Sequence, residues 1–395
     1  MLPSQIPQLL QQGKTTQALN ELREFLNRNQ EKLPAEIWHQ AANIEEQFGD
    51  WQQAGRHHQK CIALAPNNSL ALLCAGCWLA KNNNLEGANA LFSICQDANM
   101  FSHLDGNHRF NSHLLERCKT ADITLRKFFS DHHRKIVTSD EARRVKDSKW
   151  CRTHDSELTM PTDYNPSLFY IDGLSQKPFH SLKEMAWTQD FISNSKQIKS
   201  EYVNYIAKTE NKTNLRPYLQ GRQGQYQEFD DLVNSTKWAA LDLFRDGELN
   251  KEVEPFFSTT LAALKRVPCY NLDEKPFEVF FSTLQANQVI NPHYGQSNHS
   301  LTVHLPLIIP DNCYLEVNDE KKNWQQDDLI VFDDNFLHSA ANHSNKDRVV
   351  LIFSIWHPDL NESERNAIQL AFKARTKWLL NRWEVIKNEF DQALN

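Results

Sequence analysis

Apolar side chains recur at helical spacing through the first third of the chain. After Ala18 they stand at Leu19, Leu22, Phe25 and Leu26, the three- and four-residue intervals of an amphipathic helix. From about residue 277 the pattern changes to alternation with a period of two, which is typical of β-strands. The pattern therefore predicts an α+β chain in which helices precede a sheet region.

The helical part contains a spaced repeat. Ala18, Ala54 and Ala88 each follow a polar turn segment, at intervals of 36 and 34 residues. This spacing is close to the period of about 34 residues of tetratricopeptide helix pairs. We predict a tetratricopeptide-like α-solenoid over residues 1–100, followed by a helical connector over 101–160. Stacked helix pairs offer a concave surface on which a protein or peptide partner can bind.

The remaining residues, 161–395, are predicted to form a β domain with helices around it. Several short strands joined by polar turns favour an antiparallel sandwich or barrel over a parallel sheet. Helical segments are expected at 181–209 and 231–245, and a closing helical stretch at 362–394. The candidate strands are residues 277–284, 301–309, 313–317, 329–332 and 348–356.

Composition narrows the possible partners. The 395 residues carry a net charge of −7 without a run of lysine or arginine, which gives little reason to expect nucleic acid as a partner. No apolar stretch reaches the roughly 18 residues of a membrane-spanning helix, and the start lacks a secretory pattern, so the cytoplasm is the expected location. Cys74 and Cys77 form a CxxC inside an apolar helical run with no second pair, which predicts buried helix residues and not a zinc site.

An ordered set of motifs lies in the β-rich region. The main motifs are Asn-Pro-His-Tyr-Gly at 291–295, His-Leu-Pro-Leu at 304–307, Phe-Asp-Asp-Asn-Phe-Leu-His at 332–338, and Arg348 at the start of a strand. In order and spacing this set resembles the aspartyl/asparaginyl β-hydroxylase family of 2-oxoglutarate oxygenases, over most of residues 165–365. The resemblance implies a double-stranded β-helix, a jelly-roll or cupin-like fold, flanked by helices and often preceded by tetratricopeptide-like repeats.

The resemblance also implies a metal site. His293 and His338 are the expected ligands of iron(II), which must keep positions open for 2-oxoglutarate and O2. Gly295 stands where many such oxygenases carry a third, carboxylate ligand. Both imidazoles would bind as neutral rings, and of the two neighbouring aspartates Asp334 is the one the resemblance favours for supporting hydrogen bonds and a catalytic role.

Arg348 is the expected anchor of the co-substrate. Alternation along its strand places Arg348, Val350 and Ile352 on one face, and a guanidinium that faces a barrel interior requires an anion. The distal carboxylate of 2-oxoglutarate meets this requirement. The resemblance adds Ser282 and His304 as further residues that bind the co-substrate.

Two departures from the family affect the expected substrate. Relatives commonly carry arginine at the positions of Ser300, Thr302 or both, and a carboxylate substrate without a cationic partner is costly to bury. Arg216 or Arg222 is a candidate to replace that charge. Hydroxylation of a protein or peptide side chain is the leading hypothesis; a non-catalytic scaffold that binds through its repeats, a hydroxylase of a lipid or small molecule, and a halogenase remain open alternatives.

Overall fold

The chain forms two compact units. The computed structural model describes residues 2–394 except 30–31, 99, 102–111, 152–159, 161, 210–214, 222–228 and 230. The first, the helical unit, comprises Met1–His132 and Ala374–Asn395, and the second, the β unit, comprises His133–Lys373. The sequence pattern did not anticipate that the last residues group with the first helices, and the domain boundaries at 100 and 160 remain predictions.

Twelve α-helices lie within the described residues. None of these helices has the length and apolar character needed to cross a membrane. Their bounds are α1 Gln5–Gln11, α2 Thr15–Asn29, α3 Ala35–Phe48, α4 Trp51–Leu64, α5 Ser69–Lys81, α6 Leu85–Asp97, α7 Ser112–Ile136, α8 Arg143–Asp147, α9 Thr188–Ser193, α10 Ser195–Lys208, α11 Ser258–Leu264 and α12 Glu362–Leu394.

The helical unit contains a repeated helix pair. Ala18, Ala54 and Ala88 are each the fourth residue of the second helix of a pair, in α2, α4 and α6, and all three are fully buried. The side chains of Asp50 and Asn84 cap α4 and α6 by accepting backbone N–H bonds of the first turn. The spacing of 36 and 34 residues thus marks one equivalent position in three successive pairs.

The β unit contains two main antiparallel sheets. One has the order β11-β8-β13-β6-β4-β3, with β5 paired to β4, and the other has the order β10-β9-β12-β7. Strands β1 and β2 form a separate pair. The strands are β1 Lys149–Trp150, β2 Phe169–Tyr170, β3 Arg216–Pro217, β4 Trp238–Arg245, β5 Glu248–Leu249, β6 Val279–Leu284, β7 Gln288–His293, β8 Ser300–Ile308, β9 Cys313–Val317, β10 Glu320–Asn323, β11 Ile330–Phe332, β12 His338–Asn342 and β13 Arg348–Trp356.

The two faces of the larger sheet contact different cores. On β13, Val349, Leu351 and Phe353 pack in an apolar cluster with residues of α9, α10 and α11. Val350 faces the other way and joins a cluster with residues of the smaller sheet, among them Leu315. The two sheets therefore enclose a common interior, and the alternation read from the sequence of β13 assigns the faces correctly.

The helix predicted at 231–245 is wrong, because Trp238–Arg245 of this segment form strand β4. Its side chains from Trp238 to Leu241 are all buried, since β4 lies between β6 and β3 with a core on each face. A strand buried on both faces loses its alternation and is hard to distinguish from a buried helix by pattern alone. The strand prediction also omitted β7 and β12, which are short and rich in polar residues.

Candidate functional site

His293 and His338 face each other across two paired strands. They are register partners at the end of β7 and the beginning of β12. Their ring centroids lie 4.0 Å apart, with an interplanar angle of 50°. Strand pairing thus brings together two imidazoles that are far apart in the sequence.

Backbone carbonyls determine which nitrogen of each ring carries the proton. Nδ1 of His293 lies 2.8 Å from the carbonyl oxygen of Asn291, and Nδ1 of His338 lies 3.0 Å from that of Phe336. A carbonyl oxygen only accepts, so each Nδ1 donates and each neutral ring has its lone pair on Nε2. Burial lowers the pKa of His338 to about 4, which keeps that ring neutral near pH 7. This is the protonation state in which imidazole binds a metal.

Asp334 occupies the space beside Gly295. A Cβ at position 295 would lie 2.3 Å from Oδ1 and 2.6 Å from Cγ of Asp334, and 3.1 Å from its backbone carbonyl carbon. The amide of Gly295 donates to the backbone oxygen of Asp334 at 2.7 Å, and Thr302 Oγ1 donates to Oδ2 of Asp334 at 2.9 Å. Any side chain at position 295 would therefore require Asp334 to move, so this arrangement has no room for a carboxylate at that position.

The two adjacent aspartates have different contacts. Asp333 is buried, and its Oδ1 accepts from the backbone and side-chain nitrogens of Asn335, which holds the turn before β12. Burial raises the pKa of Asp333 to about 7 and that of Asp334 to about 6. Of the pair, it is Asp334 that contacts both Gly295 and Thr302.

Arg348 is a buried cation. It is 1% exposed, and its Nε and Nη1 have no hydrogen-bond partner among the residues that the structure describes. The guanidinium carbon lies 4.8 Å from the centroid of the Trp324 ring. Burial lowers the pKa of Arg348 to about 10. A buried guanidinium in this state is expected to bind an anion, because unpaired buried donors are costly.

Ser282 and His304 lie on the strands that flank β13. Ser282 is on β6, fully buried, and its Oγ accepts from Trp238 Nε1 at 3.1 Å. His304 is on β8, where burial holds its pKa well below its usual range. The side chains of Ser282, His304 and Arg348 face the interior between the sheets. Their odd-numbered strand neighbours face the other way and pack in the apolar cluster with α9, α10 and α11, the outer core.

Aromatic rings connect the imidazole pair to the arginine. The ring of Phe332 lies 5.6 Å from that of His338 and 5.0 Å from that of His304. Trp324 then contacts both His304 and Arg348. All six predicted site residues thus fall within one region of the β unit. Trp238 and Trp324 belong to the stretch that carries the resemblance, but no role was predicted for them, because an indole hydrogen bond leaves no mark in one sequence.

Neither candidate for the missing substrate-binding charge is supported. Arg216 binds both carboxylate oxygens of Asp242, at 2.6 and 2.9 Å, and also donates to two backbone carbonyls. Its guanidinium is therefore satisfied within β3 and β4, which argues against the suggested role. Arg222 lies outside the described residues.

The donor set fits a metal that takes few protein ligands. Among the described residues no group of three or more histidine, cysteine, aspartate or glutamate side chains is arranged to hold an ion. The imidazoles of His293 and His338, both with the lone pair on Nε2, are two candidate metal ligands. Such a site leaves most coordination positions of an octahedral ion for other molecules.

Known proteins resemble the part of the chain that contains this region. Residues 193–358 match the model of the aspartyl/asparaginyl beta-hydroxylase family. The human aspartyl/asparaginyl beta-hydroxylase is 24% identical over 225 residues, which are 56% of this chain and 28% of that protein. Aspartate beta-hydroxylase domain-containing protein 2 of Xenopus tropicalis is 37% identical over 94 residues, 23% of this chain and 25% of that protein.

Residues 193–358 are thus similar to the aspartyl/asparaginyl beta-hydroxylase family, which confirms the resemblance drawn from the motifs. The chain spans about a quarter of the length of these relatives. Among solved structures, a prolyl hydroxylase from Trichoplax adhaerens aligns with 44% of this chain and 81% of that one, at 12% identity and a TM-score of 0.28.

Proposed function

We propose that this protein is an iron(II)- and 2-oxoglutarate-dependent dioxygenase that hydroxylates a side chain of a protein or peptide. The observation that carries the proposal is Arg348, a buried cation with unpaired donors that shares the interior of the sandwich with two metal-ready imidazoles. His293 and His338 would hold the metal, and Arg348 would pair with a carboxylate of a dicarboxylate co-substrate. The match of residues 193–358 to the family model supports a hydroxylase reaction.

The chain's own residues hold and orient the reactants. His293 and His338 hold the iron through Nε2, because their Nδ1 atoms are bound to backbone carbonyls. The guanidinium of Arg348 binds the distal carboxylate of 2-oxoglutarate, and the hydroxyl of Ser282, whose oxygen already accepts from Trp238, donates its proton to the same carboxylate. Bound iron(II) with 2-oxoglutarate and O2 supplies the oxidising power for hydroxylation.

Asp334 has a supporting role in this proposal. Its backbone oxygen and carboxylate tie Gly295 and Thr302 to the turn that leads to His338. The end of β7 and the beginning of β12, which carry the imidazoles, are thereby held together. Groups that orient metal ligands in this way commonly affect metal affinity 10- to 100-fold.

The charges around the site favour a neutral target side chain. Thr302 offers no positive charge and donates its proton to Asp334, while Ser300 is also neutral. An acidic target side chain near Asp334 would meet another carboxylate and no cation from positions 300 and 302. An asparaginyl-type amide avoids this cost, since its burial needs hydrogen bonds but no counter-charge.

We also propose that the two facing sheets are of the double-stranded β-helix type, and that the helix pairs of α1 to α6 are of the tetratricopeptide type. The helical unit is then the segment that binds a protein substrate or partner.

The test uses full-length protein prepared without oxygen. Iron(II) and 2-oxoglutarate together should give a visible charge-transfer absorption band, and O2 should then release succinate. His293→Ala should lose both signals, whereas His343→Ala, an exposed histidine just beyond β12, should keep them.

Two outcomes decide between enzyme and scaffold. Absence of both the band and succinate in the wild-type protein would refute the proposal and favour the non-catalytic scaffold, which the missing arginines at 300 and 302 motivate. Succinate release that increases with asparagine-containing peptides, and less with aspartate-containing ones, would support the neutral substrate.

A further inference from the structure

Trp324 contacts His304 and Arg348, two of the three side chains that the sequence predicts to bind the co-substrate. It is 4% exposed and follows directly after β10. Its Nε1 donates to Nδ1 of His304 at 3.3 Å, and its ring stacks near the imidazole at an interplanar angle of 27°. The same ring supports the guanidinium of Arg348 at 4.8 Å.

The indole hydrogen bond determines the tautomer of His304. An indole nitrogen only donates, so Nδ1 of His304 must accept and its proton must reside on Nε2. This is the opposite tautomer to that of His293 and His338, whose Nδ1 atoms donate to carbonyls. His304 therefore presents a neutral N–H donor from Nε2, which suits a carboxylate and does not suit a metal.

The ring face has a second effect, on Arg348. A guanidinium with unpaired Nε and Nη1 has few contacts that define its orientation. The cation–π contact with the indole ring limits where the guanidinium can lie, and its unpaired nitrogens are then available to a carboxylate. One side chain thus acts on both groups.

We propose that Trp324 is a positioning residue for 2-oxoglutarate: its N–H holds His304 as an Nε2–H donor, and its ring face orients Arg348. The inference rests on the proposed function for the identity of the ligand. The tautomer of His304 does not depend on that identity, and it can be measured without metal or co-substrate.

The experiment separates the two contributions of Trp324. Trp324→Phe keeps an aromatic face and removes the N–H, whereas Trp324→Leu removes both. The matched control is Trp187→Phe, because Trp187 packs against Phe191 and Phe353 in the outer core. Protein labelled with ¹⁵N-histidine reports the tautomer of His304 by its two ring nitrogen shifts, assigned with His304→Gln.

The expected result is a single Nε2–H tautomer of His304 in the wild type and in Trp187→Phe, and a mixture in Trp324→Phe. We expect the KM for 2-oxoglutarate to rise about 10-fold in Trp324→Phe with kcat within about 2-fold, and to rise further in Trp324→Leu. An unchanged tautomer with an unchanged KM in Trp324→Phe would overturn the inference, as would an equal loss in Trp187→Phe.

Failure of the proposed function gives a different result. A wild-type protein that binds no 2-oxoglutarate, measured by calorimetry with redox-inactive Mn(II), overturns both the proposed function and the positioning role for this ligand. A tautomer that still changes in Trp324→Phe would then assign Trp324 to the same role for another anion. If Trp324→Leu does not fold, Trp324→Phe alone decides, since it preserves most of the buried ring.

Discussion

Replacing Arg348 with methionine should stabilise the ligand-free protein while it removes the co-substrate site. The guanidinium is buried with two nitrogens unpaired, so the fold holds a charge for which the described side chains provide no carboxylate partner. Methionine fills a similar volume without that charge. The prediction contrasts with the usual effect of mutating a fully buried side chain, which is destabilising.

The magnitude follows from the pKa. Burial lowers the pKa of Arg348 from 12.5 to about 10, which corresponds to a cost on the order of 3 kcal/mol for the charged form in the folded state. Because the folded pKa lies below the unfolded one, this cost is fully present at pH 7 and decreases as the pH rises through about 10. Methionine also loses the contact with the Trp324 ring, which offsets ~1–2 kcal/mol of the stability gained by removing the charge. A net gain of about 1–2 kcal/mol in the free energy of unfolding is therefore expected.

Binding should change in the opposite direction. Removal of one partner of a buried charge pair costs ~2–5 kcal/mol, so the affinity for 2-oxoglutarate should fall at least about 30-fold. Urea denaturation without metal or co-substrate measures stability, and calorimetric titration of 2-oxoglutarate with Mn(II) measures affinity. Arg216→Met is the matched control, because Arg216 is paired with Asp242 and its loss should destabilise the fold.

Two results would refute this reasoning. Equal destabilisation by Arg348→Met and Arg216→Met would show that the guanidinium of Arg348 is satisfied within the fold. Unchanged affinity for 2-oxoglutarate in Arg348→Met would show that the anion site lies elsewhere.

Three further predictions concern stability and metal binding. Gly295→Ala should weaken metal binding 10-fold or more, because its Cβ would lie 2.3 Å from Oδ1 of Asp334. Metal titration tests this, and an affinity equal to that of the wild type would contradict it. The double variant Gly295→Ala/Asp334→Ala should recover part of the loss. His299→Phe should make the fold less sensitive to acid, since burial lowers the pKa of His299 to about 3. The wild-type protein therefore loses stability as the pH falls below the unfolded pKa of 6.5, by about 2 kcal/mol at pH 5. Urea unfolding of both proteins at pH 7 and pH 5 checks this, and an equal loss in both would refute it. Gly55→Ala should cost ~1–3 kcal/mol, because its Cβ would lie 2.3 Å from the buried ring of Trp78, and thermal unfolding equal to wild type would count against that packing.

Local patterns were sufficient for the helical repeat and for the family resemblance. The spacing of Ala18, Ala54 and Ala88 identified equivalent positions of helix pairs, because each pair buries the same small residue in its second helix. Alternation along β13 placed Arg348 toward the interior, because successive residues of a strand face opposite sides. The motif around His338 was recognisable because its residues are contiguous.

Contacts between distant segments were decided by the tertiary structure alone. The pairing of β7 with β12 brings His293 to His338, although neither strand was visible in the pattern. Burial on both faces gave β4 its strand conformation where the sequence pattern predicted a helix. Arg216 is paired with Asp242, whereas Nε and Nη1 of Arg348 have no partner among the described residues. The difference depends on which carboxylate lies near each guanidinium in the folded chain. A residue type specifies what a group can bind but not what surrounds it.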